Sequence, residues 1–176
     1  MHAASHAPEV RAIVVMGPSG AGKTTVGRAL AAALAWRFYD ADDFHPPANV
    51  ERMRRGIGLT DVEREPWLAE LRALLADALA TNDPVVLACS ALRASYRAAL
   101  MPAGAPTGAV RIVYLRATPE LLHARLAHRV GHFAPVALLD SQLATLEEPE
   151  PSDALIVDAS LSPAAIVDVV RDVCGV

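Results

Sequence analysis

The sequence predicts an α/β fold in three layers, α/β/α, with a parallel sheet between helices. Short apolar runs of strand length alternate with helical patterns along the 176-residue chain, and this alternation is typical of parallel sheets. Helix starts are indicated where a capping residue precedes proline, at Thr118-Pro119 and Ser162-Pro163. A glycine-rich segment joins the first apolar run to the first helical pattern. Loops at that edge of a parallel sheet bind ligands.

Five apolar runs are the predicted strands. They span 12–16, 37–39, 85–89, 110–115 and 155–157. A helix is predicted over 26–35, which is rich in alanine and leucine. A second helix is predicted to begin near Pro66, because apolar residues recur at helical spacing from Trp67 onward. Asn82-Asp83-Pro84 is expected to end it.

Composition indicates one compact globular domain. Hydrophobic residues make up 53% of the chain and charged residues 20%. The net charge of −4 and the scattered arginines argue against a nucleic-acid partner. No segment approaches the roughly 18 apolar residues that a membrane span needs, and Cys89 and Cys174 form no metal-ligand pattern. We therefore expect a flexible tail at 1–9, a single domain over 10–176, no membrane contact and a cytoplasmic location.

Residues 17–24 read Gly-Pro-Ser-Gly-Ala-Gly-Lys-Thr, the pattern of a phosphate-binding loop. Glycines let backbone N–H groups approach an anion at the positive end of the following helix. Lys23 would place its charge on the β- and γ-phosphates, and the Thr24 hydroxyl would be a ligand for Mg²⁺. We therefore expect bound ATP. The predicted nucleotide-binding residues are Gly17, Pro18, Ser19, Gly20, Ala21, Gly22, Lys23, Thr24 and Thr25.

Three carboxylates, those of Asp40, Asp42 and Asp43, follow the second predicted strand. Their negative charges repel one another unless a cation occupies the site. Beside a phosphate loop, that cation would be Mg²⁺. Asp40 would hold the metal through water. Asp42, on the same side of an extended segment, would accept the proton of an attacking hydroxyl. The same three residues would also suit a solvated acidic turn.

Arginines occur where later strands end. Arg93 follows the third strand and can form a bidentate contact with a carboxylate or phosphate. Arg125 and Arg129, four apart on a predicted helix, would share one face and stabilise charge on a transferring phosphoryl group. Each of the three would equally suit a solvated helix surface. No guanine-reading Asn-Lys-x-Asp occurs, which leaves a small-molecule kinase or an ATPase.

Several long segments resemble the gluconokinase family. Residues 59–68 are similar to its Leu-x-Asp-x-Asp-Arg-x-Pro-Trp-Leu, and residues 89–97 to its Cys-Ser-Ala-Leu-Lys/Arg-x-x-Tyr-Arg. The likeness extends from about 13 to 149. Three positions depart from the family's usual glycine, proline and aspartate, and they are Ala41, Gly58 and Glu63. The remaining matched segments are 40–56, 131–133 and 141–149.

The resemblance implies ATP-dependent phosphorylation of D-gluconate at its 6-hydroxyl, in a nucleoside-monophosphate-kinase type of fold with five parallel strands. It implies a substrate-binding segment at about 41–68 and a lid at about 125–140, and many members are homodimers. Asp42 would orient and deprotonate the hydroxyl. The residues that would hold charge on the transferring group are Lys23, Arg125 and Arg129. The predicted substrate-binding residues are Asp42, His45, Arg52, Arg64, Arg93, His132 and Gln142.

Two other functions stay open at this point. A shikimate-type kinase also carries Asp-x-Asp after its second strand, although the long match over 45–68 speaks against it. A non-catalytic module that senses gluconate is the other alternative. Such a module has no need of the complete set Lys23, Thr24, Asp42 and Arg129.

Overall fold

The computed structural model describes residues 9–128 and 136–176. Its strands are β1 (Ala12–Met16), β2 (Arg37–Asp40), β3 (Val85–Cys89), β4 (Val110–Arg116) and β5 (Leu155–Asp158). They form one sheet in the order β2-β3-β1-β4-β5, and every pairing is parallel. Val14 at the centre of β1 is paired with Leu87 on one side and Ile112 on the other. The predicted five-stranded parallel sheet is confirmed.

The helices are α1 (Lys23–Leu34), α2 (Pro47–Arg54), α3 (Asp61–Thr81), α4 (Ala94–Leu100), α5 (Pro119–Ala127), α6 (Val136–Thr145) and α7 (Pro163–Cys174), with a short 3₁₀ helix at Ala41–Phe44. Two predicted helix starts are confirmed. The Thr118 side chain accepts a hydrogen bond from the backbone N–H of Leu121, and Ser162 does the same for Ala165. Over 9–128 and 136–176, none of the helices combines the length and the apolar character that crossing a membrane requires.

Helix α3 begins at Asp61, so the prediction that it starts near Pro66 was wrong. Thr60 is the N-cap: its side chain accepts from the backbone N–H of Glu63, and its own N–H donates to Glu63 Oε2 at 2.7 Å. This reciprocal capping box contributes about 1 kcal/mol. The buried Trp67, Leu68 and Leu71 add about 1.5–3 kcal/mol each, which together offset the cost of about 3 kcal/mol for a proline inside the helix. Pro66 therefore lies inside the helix.

Two apolar cores, one on each face of the sheet, hold the helices in place. Successive strand residues point to opposite faces. Ile13 and Val15 of β1 therefore pack with α1 and α7, whereas Val14 and Met16 pack with α3 and α4. Each large apolar side chain buried in this way contributes about 1.5–3 kcal/mol.

A crevice opens at the carboxyl ends of β1 and β3. These strands are neighbours, yet the helices that follow them, α1 and α4, lie on opposite faces of the sheet. The loops after the two strands diverge there, and open α/β sheets bind ligands at such a switch point. The backbone N–H of Gly17 donates to the carbonyl oxygen of Ser90 at 3.3 Å, which joins the two loops at the base of the crevice.

Candidate active site

The phosphate loop lies between β1 and α1, as predicted. Gly17, Gly20 and Gly22 have φ angles of 147°, 86° and 98°, which residues with side chains rarely adopt. A Cβ on Gly17 would also lie 3.2 Å from the carbonyl oxygen of Leu115. The loop therefore depends on its glycines for its shape. Lys23 Nζ donates to the carbonyl oxygen of Pro18 at 3.2 Å, which places the ammonium group against the loop.

Thr24 and Asp40 join the phosphate loop to the end of β2. Thr24 Oγ1 donates to Asp40 Oδ2 at 2.7 Å. The hydroxyl and the carboxylate are hard oxygen ligands of the kind that Mg²⁺ prefers. Across the described ranges, no three or more His, Cys, Asp or Glu side chains are grouped to hold a metal. Mg²⁺ at phosphate sites needs only one or two carboxylates, because phosphate oxygens and water complete its shell.

Asp42 lies in the 3₁₀ helix, so the prediction that it belongs to an extended segment was wrong. The Asp40 side chain caps this helix: its Oδ1 accepts from the backbone N–H of Asp42 at 3.1 Å. The pKa of Asp42 is raised above its ordinary value, chiefly because surrounding protein atoms exclude water from the carboxylate. The negative charges of Asp40 and Asp43 raise it further, and the positive charge of Lys23 opposes them. The residue as a whole remains exposed. Asp42 therefore lies in a cleft that protein atoms line closely but that remains accessible from solvent. Its raised pKa makes the carboxylate a better proton acceptor.

Trp67 holds the acidic segment in position, a role that the sequence analysis missed. Its Nε1 donates to the carbonyl oxygen of Ala41 at 2.7 Å, in a buried hydrogen bond. Its indole stacks on the imidazole of His45, with ring centroids 4.3 Å apart and planes at 13°. Trp67 thus contacts the chain on both sides of Asp42. In the sequence, the position of Trp67 in the Pro66-Trp67-Leu68 motif was the one indication of this role.

The three arginines predicted to bind substrate have different partners. Arg52 Nη1 lies 3.3 Å from Glu63 Oε1, and Arg93 Nη1 lies 3.2 Å from Asp61 Oδ2. Within the ranges that the structure describes, Arg64 makes no ion pair of this kind. The structure therefore places positive side chains near α2 and α3. Arg52 and Arg93 are each paired with their own carboxylate, and Arg64 is not.

Arg97 shapes the loop after β3 and was also missed. This buried guanidinium donates from Nη1 to the carbonyl oxygens of Ala91, Leu92 and Glu147, at 3.1, 3.2 and 2.9 Å. Ala91 has a φ of 44°, which is uncommon for a residue with a side chain. By holding this strained turn, Arg97 sets the position of Arg93, the N-cap of α4.

Arg125 binds the far side of the phosphate loop. Its Nη1 donates to the carbonyl oxygens of Gly20 and Ala21 at 3.3 and 3.2 Å, and its Nη2 donates to that of Ala159 at 2.7 Å. A cavity of about 250 Å³ lies beside it, lined among others by Thr25, Leu161, Pro163 and Ile166. A role for Arg125 in stabilising phosphoryl charge stays a prediction. Arg129 and His132 lie outside the described residues.

Gln142, on α6, contacts the phosphate loop. The backbone N–H of Ser19 donates to Gln142 Oε1 at 2.7 Å. Backbone N–H groups of such loops are the donors that receive phosphate oxygens. The side chain therefore lies on the nucleotide side of the crevice, and the substrate contact expected of Gln142 stays a prediction.

The site combines a glycine-rich loop suited to phosphate with the Thr24–Asp40 pair beside it. Asp42 follows in the same segment, and its carboxylate has a raised pKa. Such an arrangement suits two substrates. One would carry phosphate and the other would receive it. The fold and the site define the protein as a P-loop enzyme of the small-molecule kinase class.

Comparison with known proteins identifies the family. A family model described as an AAA domain matches residues 13–149. The gluconokinase of Gluconobacter oxydans (strain 621H) is 46% identical over 146 residues, covering 83% of this chain and 80% of that protein. A probable gluconokinase from Xenopus tropicalis is 43% identical over 168 residues, 88% of each chain. A gluconokinase crystal structure from Sinorhizobium meliloti 1021 has a TM-score of 0.82 and 40% identity, covering 96% of this chain and 94% of that one. The chain belongs to the gluconokinase family.

Proposed function

We propose that the protein transfers the γ-phosphoryl group of ATP to the 6-hydroxyl of D-gluconate, giving 6-phospho-D-gluconate and ADP. The observation that carries this proposal is the position of Asp42. Its backbone N–H donates to the Asp40 carboxylate at 3.1 Å, and the same carboxylate accepts from the hydroxyl of Thr24 in the phosphate loop at 2.7 Å. A hydroxyl hydrogen-bonded to Asp42 would lie beside the phosphate that the loop holds. The names of the relatives support gluconate as the acceptor.

Each residue of the site has a distinct role in this reaction. Asp42 orients the hydroxyl and takes its proton, which leaves late in the loose transition state of phosphoryl transfer. Lys23 and the loop N–H groups stabilise charge on the transferring group. Thr24 and Asp40 would hold Mg²⁺, which when bound neutralises charge on the β- and γ-phosphates. Their hydroxyl and carboxylate oxygens, 2.7 Å apart, suit that ion.

The adenine base would occupy the cavity between the phosphate loop and α7. Leu161 lines this cavity and is 42% exposed, so its apolar surface is accessible to a ligand. A flat base would cover it. The guanidinium of Arg125 borders the same cavity, held by its bonds to carbonyl oxygens, and guanidinium groups stack on aromatic rings.

A substrate panel tests the proposed function. ADP release is followed with ATP and Mg²⁺ and with gluconate, other sugar acids or shikimate, and NMR locates the phosphate on the product. We expect gluconate-dependent ADP release and phosphate on carbon 6. Turnover of shikimate instead would favour the shikimate-type alternative. Binding of ATP and gluconate without turnover would favour a sensing module, and ADP release that no acceptor increases would indicate an ATPase.

Replacing Trp67 by phenylalanine should lower kcat by about tenfold. The ring is kept, but the buried Ala41 carbonyl oxygen loses its donor at a cost of about 1–3 kcal/mol, and the segment that holds Asp42 loosens. Steady-state kinetics and thermal unfolding measure the two effects. Replacing the exposed Val62 on the same helix is the control. An unchanged kcat would show that Trp67 does not position Asp42.

The cytoplasmic location and the homodimer remain proposals. Both cysteines are free thiols, and Cys89 is buried, which agrees with a reducing compartment. Sedimentation of the purified protein would measure the oligomeric state. The single domain over 10–176 is likewise part of the proposal, and cooperative unfolding in one transition would support it.

A further inference from the structure

We infer that Arg64 binds the carboxylate of the acceptor substrate and that His45 beside it binds a neighbouring hydroxyl. The inference rests on the proposed function, since it takes the acceptor to be a polyhydroxy acid. It adds a direction: the substrate lies with its carboxylate at Arg64 and its reacting hydroxyl at Asp42.

Direct ion pairing distinguishes Arg64 from the other candidate arginines, although all three lie near carboxylates. Arg52 is paired with Glu63 and Arg93 with Asp61, so a substrate carboxylate would have to compete with those carboxylates. Arg64 has no ion pair within residues 9–128 and 136–176, and its Nε donates to the carbonyl oxygen of Leu59 at 3.3 Å. That bond leaves the two terminal nitrogens for a bidentate contact, which matches the geometry of a carboxylate.

Tyr96 provides Arg64 with a rigid support. The guanidinium carbon of Arg64 lies 5.2 Å from the centroid of the tyrosine ring, within the range of a cation–π interaction. The ring itself is fixed, because the Tyr96 hydroxyl donates to Asp61 Oδ1 at 2.5 Å and the residue is buried. A guanidinium held in this way loses little further freedom when it binds an anion, so less affinity is spent on ordering it.

His45 supplies the second contact. Its Nδ1 is buried and has no hydrogen-bond partner among the described residues, although buried polar atoms are almost always paired. Burial, followed by the positive charge of Arg64, lowers the pKa of His45 to about 4. The imidazole is therefore neutral near pH 7 and suits an uncharged hydroxyl. Arg52 Nε is another buried atom without a hydrogen-bond partner among these residues.

The positions of these residues give the orientation. Asp42 and His45 belong to one short segment, held on both sides by Trp67. Arg64 affects His45 electrostatically, and Lys23 affects Asp42. The Asp42 end of the segment therefore lies toward the phosphate loop, and the His45 end lies toward Arg64, which would bind the substrate carboxylate. An acid whose carboxylate and accepting hydroxyl terminate the same carbon chain would extend from one end to the other.

The test compares D-gluconate with D-glucitol, which has the same chain of hydroxyls but no carboxylate. Arg64→Ala should raise the KM for gluconate by about 10²-fold, and the preference for gluconate over glucitol in kcat/KM should collapse. Arg64→Lys, which keeps the charge and loses the bidentate geometry, should restore part of that preference. Arg52→Ala and Arg93→Ala are the comparison variants. Each removes a guanidinium that is already paired with a carboxylate, so we expect most of the preference to remain even where the KM for gluconate rises.

Wild-type turnover of gluconate is measured first, so that failure of the proposed function is recognised separately. Unfolding temperatures and ATP titrations confirm that each variant is folded. The inference is overturned if Arg64→Ala leaves the KM for gluconate within about twofold of wild type. It is equally overturned if Arg52→Ala or Arg93→Ala produces the larger loss of preference. Where glucitol is not turned over, calorimetric binding of both ligands provides the same comparison.

Discussion

Asp42→Asn should lower kcat by about 10²–10⁴-fold while ATP binds with near wild-type affinity. Asparagine keeps the size of the side chain but cannot accept a proton. The backbone around it is held by Asp40 and Trp67, so the substitution leaves the segment in place. ADP release measures kcat, and nucleotide titration measures ATP affinity. Asp43→Asn, in the same acidic cluster, is the control. A near-normal kcat in Asp42→Asn would show that this carboxylate is not the proton acceptor.

The same carboxylate contributes to the pH dependence of activity and stability. Its pKa is raised above the ordinary 3.8, so kcat should fall as the pH drops through the raised value. The folded state binds this proton more tightly than the unfolded chain does, so ionised Asp42 opposes folding above that pH. As the pH falls and Asp42 becomes protonated, this destabilisation of the folded state disappears. Asp42→Asn should therefore unfold at an equal or higher temperature at pH 7, and its kcat should lose the acid limb.

Lys23→Met should lower turnover by about 10²–10³-fold or more, because it removes a preorganised positive charge from the transferring phosphoryl group. Methionine keeps most of the apolar stem, so the phosphate loop should retain its shape. Initial-rate kinetics at saturating ATP separate this effect from weaker nucleotide binding. Arg28→Met removes an exposed positive charge from the same helix and should have little effect. More than about a tenth of wild-type kcat in Lys23→Met would contradict this role.

Local patterns in the sequence predict the fold and the phosphate side of the site well. The loop at 17–24, the strand before it and the helix after it are contiguous, so one stretch of sequence contains all the information. The start of α3 is the exception, although its signal is equally local. Proline favours the first turn of a helix, but Thr60 and Glu63 form the capping box that begins this helix before Pro66.

The substrate side could not be predicted to the same depth, because its contacts join distant parts of the chain. The sequence indicates three candidate arginines, but the pairing of Arg93 with Asp61, 32 residues away, depends on how α3 packs against α4. The contact between Ser19 and Gln142 spans 123 residues and requires α6 to reach the phosphate loop. Burial of a single nitrogen, such as His45 Nδ1, has no sequence signature at all.

The stacking of Trp67 on His45 makes the substrate site optically observable. The chain contains two tryptophans, and Trp36 lies beyond the end of α1, so Trp36→Phe leaves Trp67 as the single indole fluorophore. A substrate hydroxyl bound to the imidazole would change the surroundings of the indole 4.3 Å away. The emission of Trp67 would then report acceptor binding without an added label and independently of phosphoryl transfer.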